Sequence, residues 1–286
     1  MKKSILHSSF DREETCVYIG VDYPKSRLMR GETMDRKQFF ADNGYLSAEG
    51  VFSEAEMDDL MRRVAALEGQ HTPFPEGDLK WEPSNPSVLR NAFGLLHRDP
   101  AFRAVATHPR LIAIVQELLG PDLDIYADGL FAKPAHDGSV VPPHQDMYYW
   151  SFEPYNMLTA WIALEDATRE NGCMTVIPAS HKLGLLEHEQ TDVPGNTWML
   201  TQEALCKLGD EIPVELSKGS VGFHHCLTYH RSEPNRSPRS RRAYTVIFMT
   251  GEARWTGTGE YRYPFLHVQG KPSPAYQAME HVQVER

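Results

Sequence analysis

No stretch of this 286-residue sequence approaches the ~20 consecutive apolar residues that a membrane span requires. No apolar run of signal-peptide length follows Met1-Lys2-Lys3 either. A cytoplasmic protein without membrane attachment is therefore expected. Positive charge is scarce: 29 Lys and Arg against 39 Asp and Glu leave a formal net charge of −10. That balance disfavours a broad nucleic-acid or anionic-membrane surface, both of which need a positive field. Cysteine is sparse, and Cys16, Cys173, Cys206 and Cys226 form no CxxC pair. Neither a zinc knuckle nor a disulfide framework is indicated, and buried thiols in a reducing compartment are the plain reading. Internal repeats and low-complexity tracts are also missing. At 41% hydrophobic, a chain of this length can bury the core of one large domain.

Residues 1–34 are polar and irregular, an N-terminal extension. A single domain is expected over 35–286. Phe39 and Phe40 followed by Gly44-Tyr45-Leu46 read as a short helix entering a strand, and Ser53-Glu54-Ala55-Glu56 is a capping box. Met57, Leu60, Met61, Val64 and Leu67 recur behind it at helical spacing up to Gly69. A loop is expected over about 70–86. Two more helices follow, one capped by Asp99 with Pro100 first, the other running from Pro109 to Gly120. Beyond Gly120, short β-branched and aromatic runs alternate with turn signals: 123–131, 158–164, 174–178, 220–225 and 243–250. The pattern predicts a mainly β sandwich or barrel buttressed by the N-terminal helices. Residues 183–213 break the strand rhythm and read as an inserted lid.

His144-Gln145-Asp146 is the strongest chemical signal. An imidazole and a carboxylate two positions apart in an extended segment point the same way. A second imidazole, for which His230 is the candidate, would complete a two-His-one-carboxylate face that leaves the rest of an octahedral iron open. Arg241 lies an odd number of positions after His230, so a bend is needed between them, and Ser232, Pro234, Asn235, Ser237 and Pro238 supply one. His224 and His225 compete with His230 on residue type alone.

Pro143-His144-Gln145-Asp146, Thr159 to Leu164, Asn171-Gly172-Cys173-Met174, Ile177 to Lys182, and His230 to Asn235 with Arg241 together resemble the phytanoyl-CoA dioxygenase family. The likeness spans about 35–250. It implies a double-stranded β-helix, the cupin-like jelly roll, using Fe(II), 2-oxoglutarate and O2 as a dioxygenase. It also implies that His144, Asp146 and His230 are the metal ligands and catalytic centre. Arg241, rather than the adjacent Arg242, would pair with the distal carboxylate of 2-oxoglutarate, because a guanidinium fork suits a carboxylate. Ser232 would donate to the same group and Trp161 would wall the pocket. Where many relatives have a lysine just before the Asp99 helix that helps bind the cosubstrate, this chain has Arg90, the candidate for that cosubstrate-binding position. Related iron halogenases have a small residue at the position of Asp146, so the carboxylate favours hydroxylation.

The substrate is the least legible part. Tyr148, Tyr149, Trp150, Phe152 and Tyr155 suit a partly apolar small molecule beside the metal, and equally a homodimer contact or the core. Trp198 in the inserted segment and Trp255 near the C-terminus are further substrate candidates. The reading is a small-molecule hydroxylase. The competing classes are a metal-containing binder or sensor and a non-redox metalloenzyme on the same scaffold.

Overall fold

Capping chemistry sets the helix starts in the computed structural model, which describes residues 35–69, 74–136, 138–257 and 263–284. The polar stretch 1–34 lies outside the described residues. Asp35 accepts from the Gln38 N–H at 3.0 Å and opens α1 (Arg36–Asn43). Gly44, at φ 75°, reverses the chain into β1 (Tyr45–Ala48). Ser53 and Glu56 bond reciprocally, backbone N–H to side chain in both directions, at the head of α2 (Glu54–Gly69). β2 (Leu79–Glu82) and β3 (Asn85–Phe93) follow, then α3 (Pro100–Ala106), capped by Asp99, and α4 (Pro109–Leu119). The stretch 70–86, expected as a loop, thus carries an edge strand. Leu79 packs into the core there, and Pro86 sits on β3 near the sheet edge, where a missing N–H is tolerated.

The remaining elements are β4 (Leu123–Lys133), β5 (Val141–His144), β6 (Phe152–Glu153), β7 (Met157–Ala163) and β8 (Met174–Val176). β9 (His188–Gln190), β10 (Trp198–Leu200), α5 (Gln202–Leu205) and β11 (Ile212–Val214) come next. β12 (Val221–His225), β13 (His230–Ser232), β14 (Arg241–Thr250), β15 (Arg254–Trp255), β16 (Leu266–Gln269) and α6 (Pro274–Val284) complete the chain. A large antiparallel sheet runs β1-β12-β7-β14-β4-β3-β2, with β16 also on β4. A smaller sheet, β11-β8-β13-β5, faces it, and the two make a jelly roll. No helix among the described residues is long and apolar enough to cross a membrane.

The two faces of the large sheet do different work. Leu158, Ala160 and Ile162 of β7 and Tyr244, Val246 and Phe248 of β14 pack against the helices, with Met57, Leu60, Val64, Phe102, Leu111 and Val115. The alternate residues Trp161, Ala163 and Ala243 face the small sheet and meet Met174, Val176 and Val214. Cys173 and Cys226 are free and buried, whereas Cys206 is disulfide-bonded, against the expectation of a thiol.

Asp128 of β4 is a charged group on the helical side. It accepts from Leu96 N–H at 2.9 Å and from the Tyr244 hydroxyl at 2.9 Å, but its Oδ1 has no hydrogen-bond partner among the described residues. Burial pushes its carboxyl up from 3.8 to about 6. The folded chain therefore keeps this proton longer than the unfolded chain does. As pH rises from about 4 to about 6 the unfolded state ionises first, and stability falls across that window by on the order of 3 kcal/mol. Asp128→Asn removes this loss, so its stability relative to the native chain should climb between about pH 4 and pH 7. Urea unfolding at several pH values tests this, and parallel curves would refute it.

Candidate metal centre

Register brings the two histidines together. His230 is the direct cross-strand partner of His144, where β13 runs antiparallel to β5, and the rings lie 4.1 Å apart. The chain turns immediately after His144 and carries Asp146 back toward them. One ligand atom from each of His144, Asp146 and His230 falls within 4.8 Å of the others. His144 Nδ1 lies 2.8 Å from the Pro142 carbonyl and His230 Nδ1 lies 3.0 Å from the Thr228 carbonyl. Each Nδ1 is thereby the protonated donor, which leaves the Nε2 lone pairs directed at the shared space. Burial holds both imidazoles below their ordinary pKa, in the neutral form that ligates.

Two side chains that the sequence reading did not assign hold the carboxylate. Thr159 of β7 donates its hydroxyl to Asp146 Oδ2 at 2.7 Å, and His224 Nε2 lies 3.0 Å from the same oxygen. Oδ1 is the oxygen turned to His230 and His144, at 3.5 and 3.8 Å. Burial opposes the charge on Asp146, but the His230 ring, the His224 hydrogen bond and the His144 ring outweigh it. The carboxyl lies well below the usual range and is ionised. His224 is thus a support for the carboxylate, while His225 packs with Phe40 and His181. The alternation of β7 held a clue, because Thr159 stands two residues before Trp161 and shares its face. Nothing local in the sequence distinguished His224.

Gln145, between the two ligands, is buried and fully bonded. Its amide donates to the carbonyls of Gly184 and Leu227, and its Oε1 accepts from Leu186 N–H. Its own N–H donates to His188 Nε2 at 3.1 Å. The segment after Ser180 is therefore fastened to the metal motif.

Arg241 heads β14 on the inner face, 4% exposed, with its guanidinium 5.2 Å from the Trp161 ring centroid. Burial pushes it down to about 10, so it remains cationic at neutral pH, yet its Nε has no hydrogen-bond partner among the described residues. A buried cation with an unsatisfied donor is built to receive an anion. Arg242 points the other way, to Glu68 and Glu165. Ser232 is buried two residues after His230 on β13. Lys133, the cross-strand partner of Arg241, donates to the carbonyls of Ser139 and Glu233. Arg90 reaches a different element: its Nη1 donates to the Pro194 carbonyl at 3.1 Å.

Of the aromatic candidates, Tyr149 is 45% exposed and sets its ring edge-on to His144 at 5.7 Å. Tyr148 stacks on His188 at 4.1 Å and meets Trp198 at 5.3 Å. Trp150 packs on Tyr126, and Trp255 joins the same cluster with Phe152 and Phe265. The donor set of two imidazole nitrogens and one carboxylate oxygen is consistent with Fe(II), and the orphaned Arg241 with the anionic end of 2-oxoglutarate.

The support given to Asp146 predicts a graded loss. Thr159→Val and His224→Ala should each weaken Co(II) binding about tenfold or more, read from the visible absorption of the bound ion. Unchanged affinity in both variants would show that the carboxylate is oriented without them.

The phytanoyl-CoA dioxygenase (PhyH) family model matches residues 40–243. Phytanoyl-CoA dioxygenase domain-containing protein 1 of Mus musculus is 31% identical over 188 residues, which is 64% of this chain and 64% of that protein's length. Among solved structures, EctD from S. alaskensis with 2-oxoglutarate and 5-hydroxyectoine is 21% identical with a TM-score of 0.69, covering 88% of this chain and 89% of its own. The epimerase SnoN from nogalamycin biosynthesis is 23% identical with a TM-score of 0.63, covering 82% and 90%. Both share the fold. The extent of the family match, over an intact His–Asp–His set, places this chain in the phytanoyl-CoA dioxygenase family.

Proposed function

We propose that the protein is an Fe(II)- and 2-oxoglutarate-dependent dioxygenase that hydroxylates a C–H bond of a small molecule. One observation carries the reading: the convergent nitrogens and carboxylate oxygen of His144, Asp146 and His230 share the interior of the jelly roll with the buried guanidinium of Arg241, which has no carboxylate partner among the described residues. A metal site alone would serve a structural role, and a lone buried arginine would be a liability. Together they form a place for a chelating dianion.

In this reading His144, Asp146 and His230 would hold Fe(II), and the cosubstrate and dioxygen would take the positions these three ligands leave open. Arg241, its guanidinium beside the Trp161 ring, would donate to the distal carboxylate, and Ser232 would offer a hydroxyl to the same group. When bound, iron, 2-oxoglutarate and O2 together supply hydrogen abstraction from carbon and return of hydroxyl, with succinate and CO2 released. The protein's share is to orient the substrate C–H and exclude water. Residues 183–213 serve as a lid over this space. Leu200, Leu205 and Leu208 anchor the segment on Ile177 and Tyr229, and the Tyr149 hydroxyl donates to the Trp198 carbonyl. Arg90 then acts on the lid through Pro194, and its part in cosubstrate binding is indirect.

Anaerobic protein loaded with Fe(II) and 2-oxoglutarate should develop the weak visible band of a chelated iron–cosubstrate complex, and His144→Ala or His230→Ala should lose it. Arg241→Leu should keep metal binding but weaken 2-oxoglutarate by about thirtyfold or more, the loss expected for one partner of a buried charge pair. Asp146→Ala should abolish turnover. Mass spectrometry then separates outcomes: substrate that gains one oxygen as 2-oxoglutarate is consumed supports hydroxylation, and substrate altered without that gain counts against it. Failure of the band to form in folded protein would remove the oxygenase reading.

A further inference from the structure

Directly paired residues of antiparallel strands share a face, so register maps the inner wall of the large sheet. One row reads His224, Thr159, Ile247, Ala127 across β12, β7, β14 and β4. The next reads Gly222, Trp161, Thr245, Gly129, Phe93, ending on β3. The third reads Ala163, Ala243, Phe131, Asn91, Lys80, ending on β2. Thr159 and His224 are the residues that hold Asp146, so the first row is the metal end. From there toward β2 the wall is low, made of Ala127, Gly129, Thr245 and Ala243, until it rises at two aromatic rings.

Those rings are unusually open. Phe131 is 36% exposed, and Phe93 is half-buried with its ring edge-on to Phe131 at 6.0 Å. A Cβ on Gly129 would come within 2.9 Å of the Phe93 ring and 3.3 Å of the Phe131 ring, so glycine lets the pair lean over the low wall. Lys80 caps them, its ammonium 5.4 Å from the Phe93 centroid. Charge singles out the same place. In a chain of net charge −10, the basic side chains Lys80, Arg90, Lys133 and Arg241 lie on these strands, alongside the carboxylates Glu82, Asp124 and Asp128, of which Asp128 lies on the opposite, helical face. Glu82 is already engaged by the Ser139 hydroxyl at 2.6 Å, while Lys80 has no carboxylate partner among the described residues.

We infer that this wall binds the substrate, and that the substrate is an amphiphile with an apolar body against Phe93 and Phe131 and an anionic end, carboxylate or phosphate, at Lys80. The inference rests on the oxygenase reading above and adds the substrate class. Three strand spacings and one two-residue step along the strand separate Thr159 from Phe93, over which the Lys80 ammonium lies, on the order of 16 Å. The oxidised carbon and the anionic group therefore stand about that far apart, which a planar ring system or a chain of roughly ten carbons spans.

Matched ten-carbon probes test it: decanoate, decyl phosphate, decanol and decylamine, titrated anaerobically into the Fe(II)- and 2-oxoglutarate-loaded protein by tryptophan fluorescence. Decanoate or decyl phosphate should bind at least about threefold tighter than decanol, the scale of an exposed ion pair, and decylamine should bind most weakly. Whichever anion is preferred identifies the headgroup. Lys80→Glu should erase or reverse the preference while leaving the iron–cosubstrate band intact, and Phe131→Ala should weaken decanoate and decanol alike. An equal affinity for decanoate, decyl phosphate and decanol, or an anion preference that survives Lys80→Glu, overturns the inference. If the band never forms but Lys80-dependent anion binding persists, the oxygenase reading fails and the anion site stands.

Discussion

The site depends on one carboxylate having its two oxygens told apart. Thr159 and His224 both address Oδ2 of Asp146, which leaves Oδ1 facing the two imidazoles. Without that division a short acidic side chain in a turn would be free to rotate, and the three donor atoms would converge only part of the time. Both supporting residues come from the large sheet, whereas His144 and His230 belong to the small one. The metal centre is therefore assembled across the sandwich, and its geometry follows from how the two sheets stack.

Stacking is in turn enforced from behind. The helices at the N-terminal end cover the outer face of the large sheet with a continuous apolar layer, so the strands carrying Thr159 and His224 are rigidly backed. Gln145 in turn binds the carbonyls of Gly184 and Leu227 and the N–H of Leu186. Its saturation explains why a polar residue is buried between two ligands: every one of its bonds fixes backbone.

Much of this was readable in the sequence, and the limits are instructive. Capping residues, helix faces and the strand alternation after Gly120 are local signals, and the elements they indicate are present. His144 and Asp146 were legible because their relation is also local. His230 and Arg241 depended on family spacing, since contact between strands far apart in sequence leaves no local trace. Thr159 and His224 went unassigned because their role exists only once β12, β7 and the turn after β5 are brought together. The edge strand at Leu79 was hidden among Pro, Gly and charged residues, which in an exposed edge position are compatible with pairing. Arg90 stood at the site by position, yet its side chain turns to the Pro194 carbonyl, a contact between segments 104 residues apart.

The alternation of β7 and β14 divides labour residue by residue. Leu158, Ala160 and Ile162 serve the helical core, while Thr159 and Trp161 serve the interior cavity, within a single run of the chain. Inherited variation on one set is filtered by whether the protein folds, and on the other by what it oxidises. Under the proposed function, an exchange at an inner position such as Phe131 would reshape the cavity without touching the helical core. Diversification of chemistry on this framework is thus written into the two-residue repeat of the strand itself.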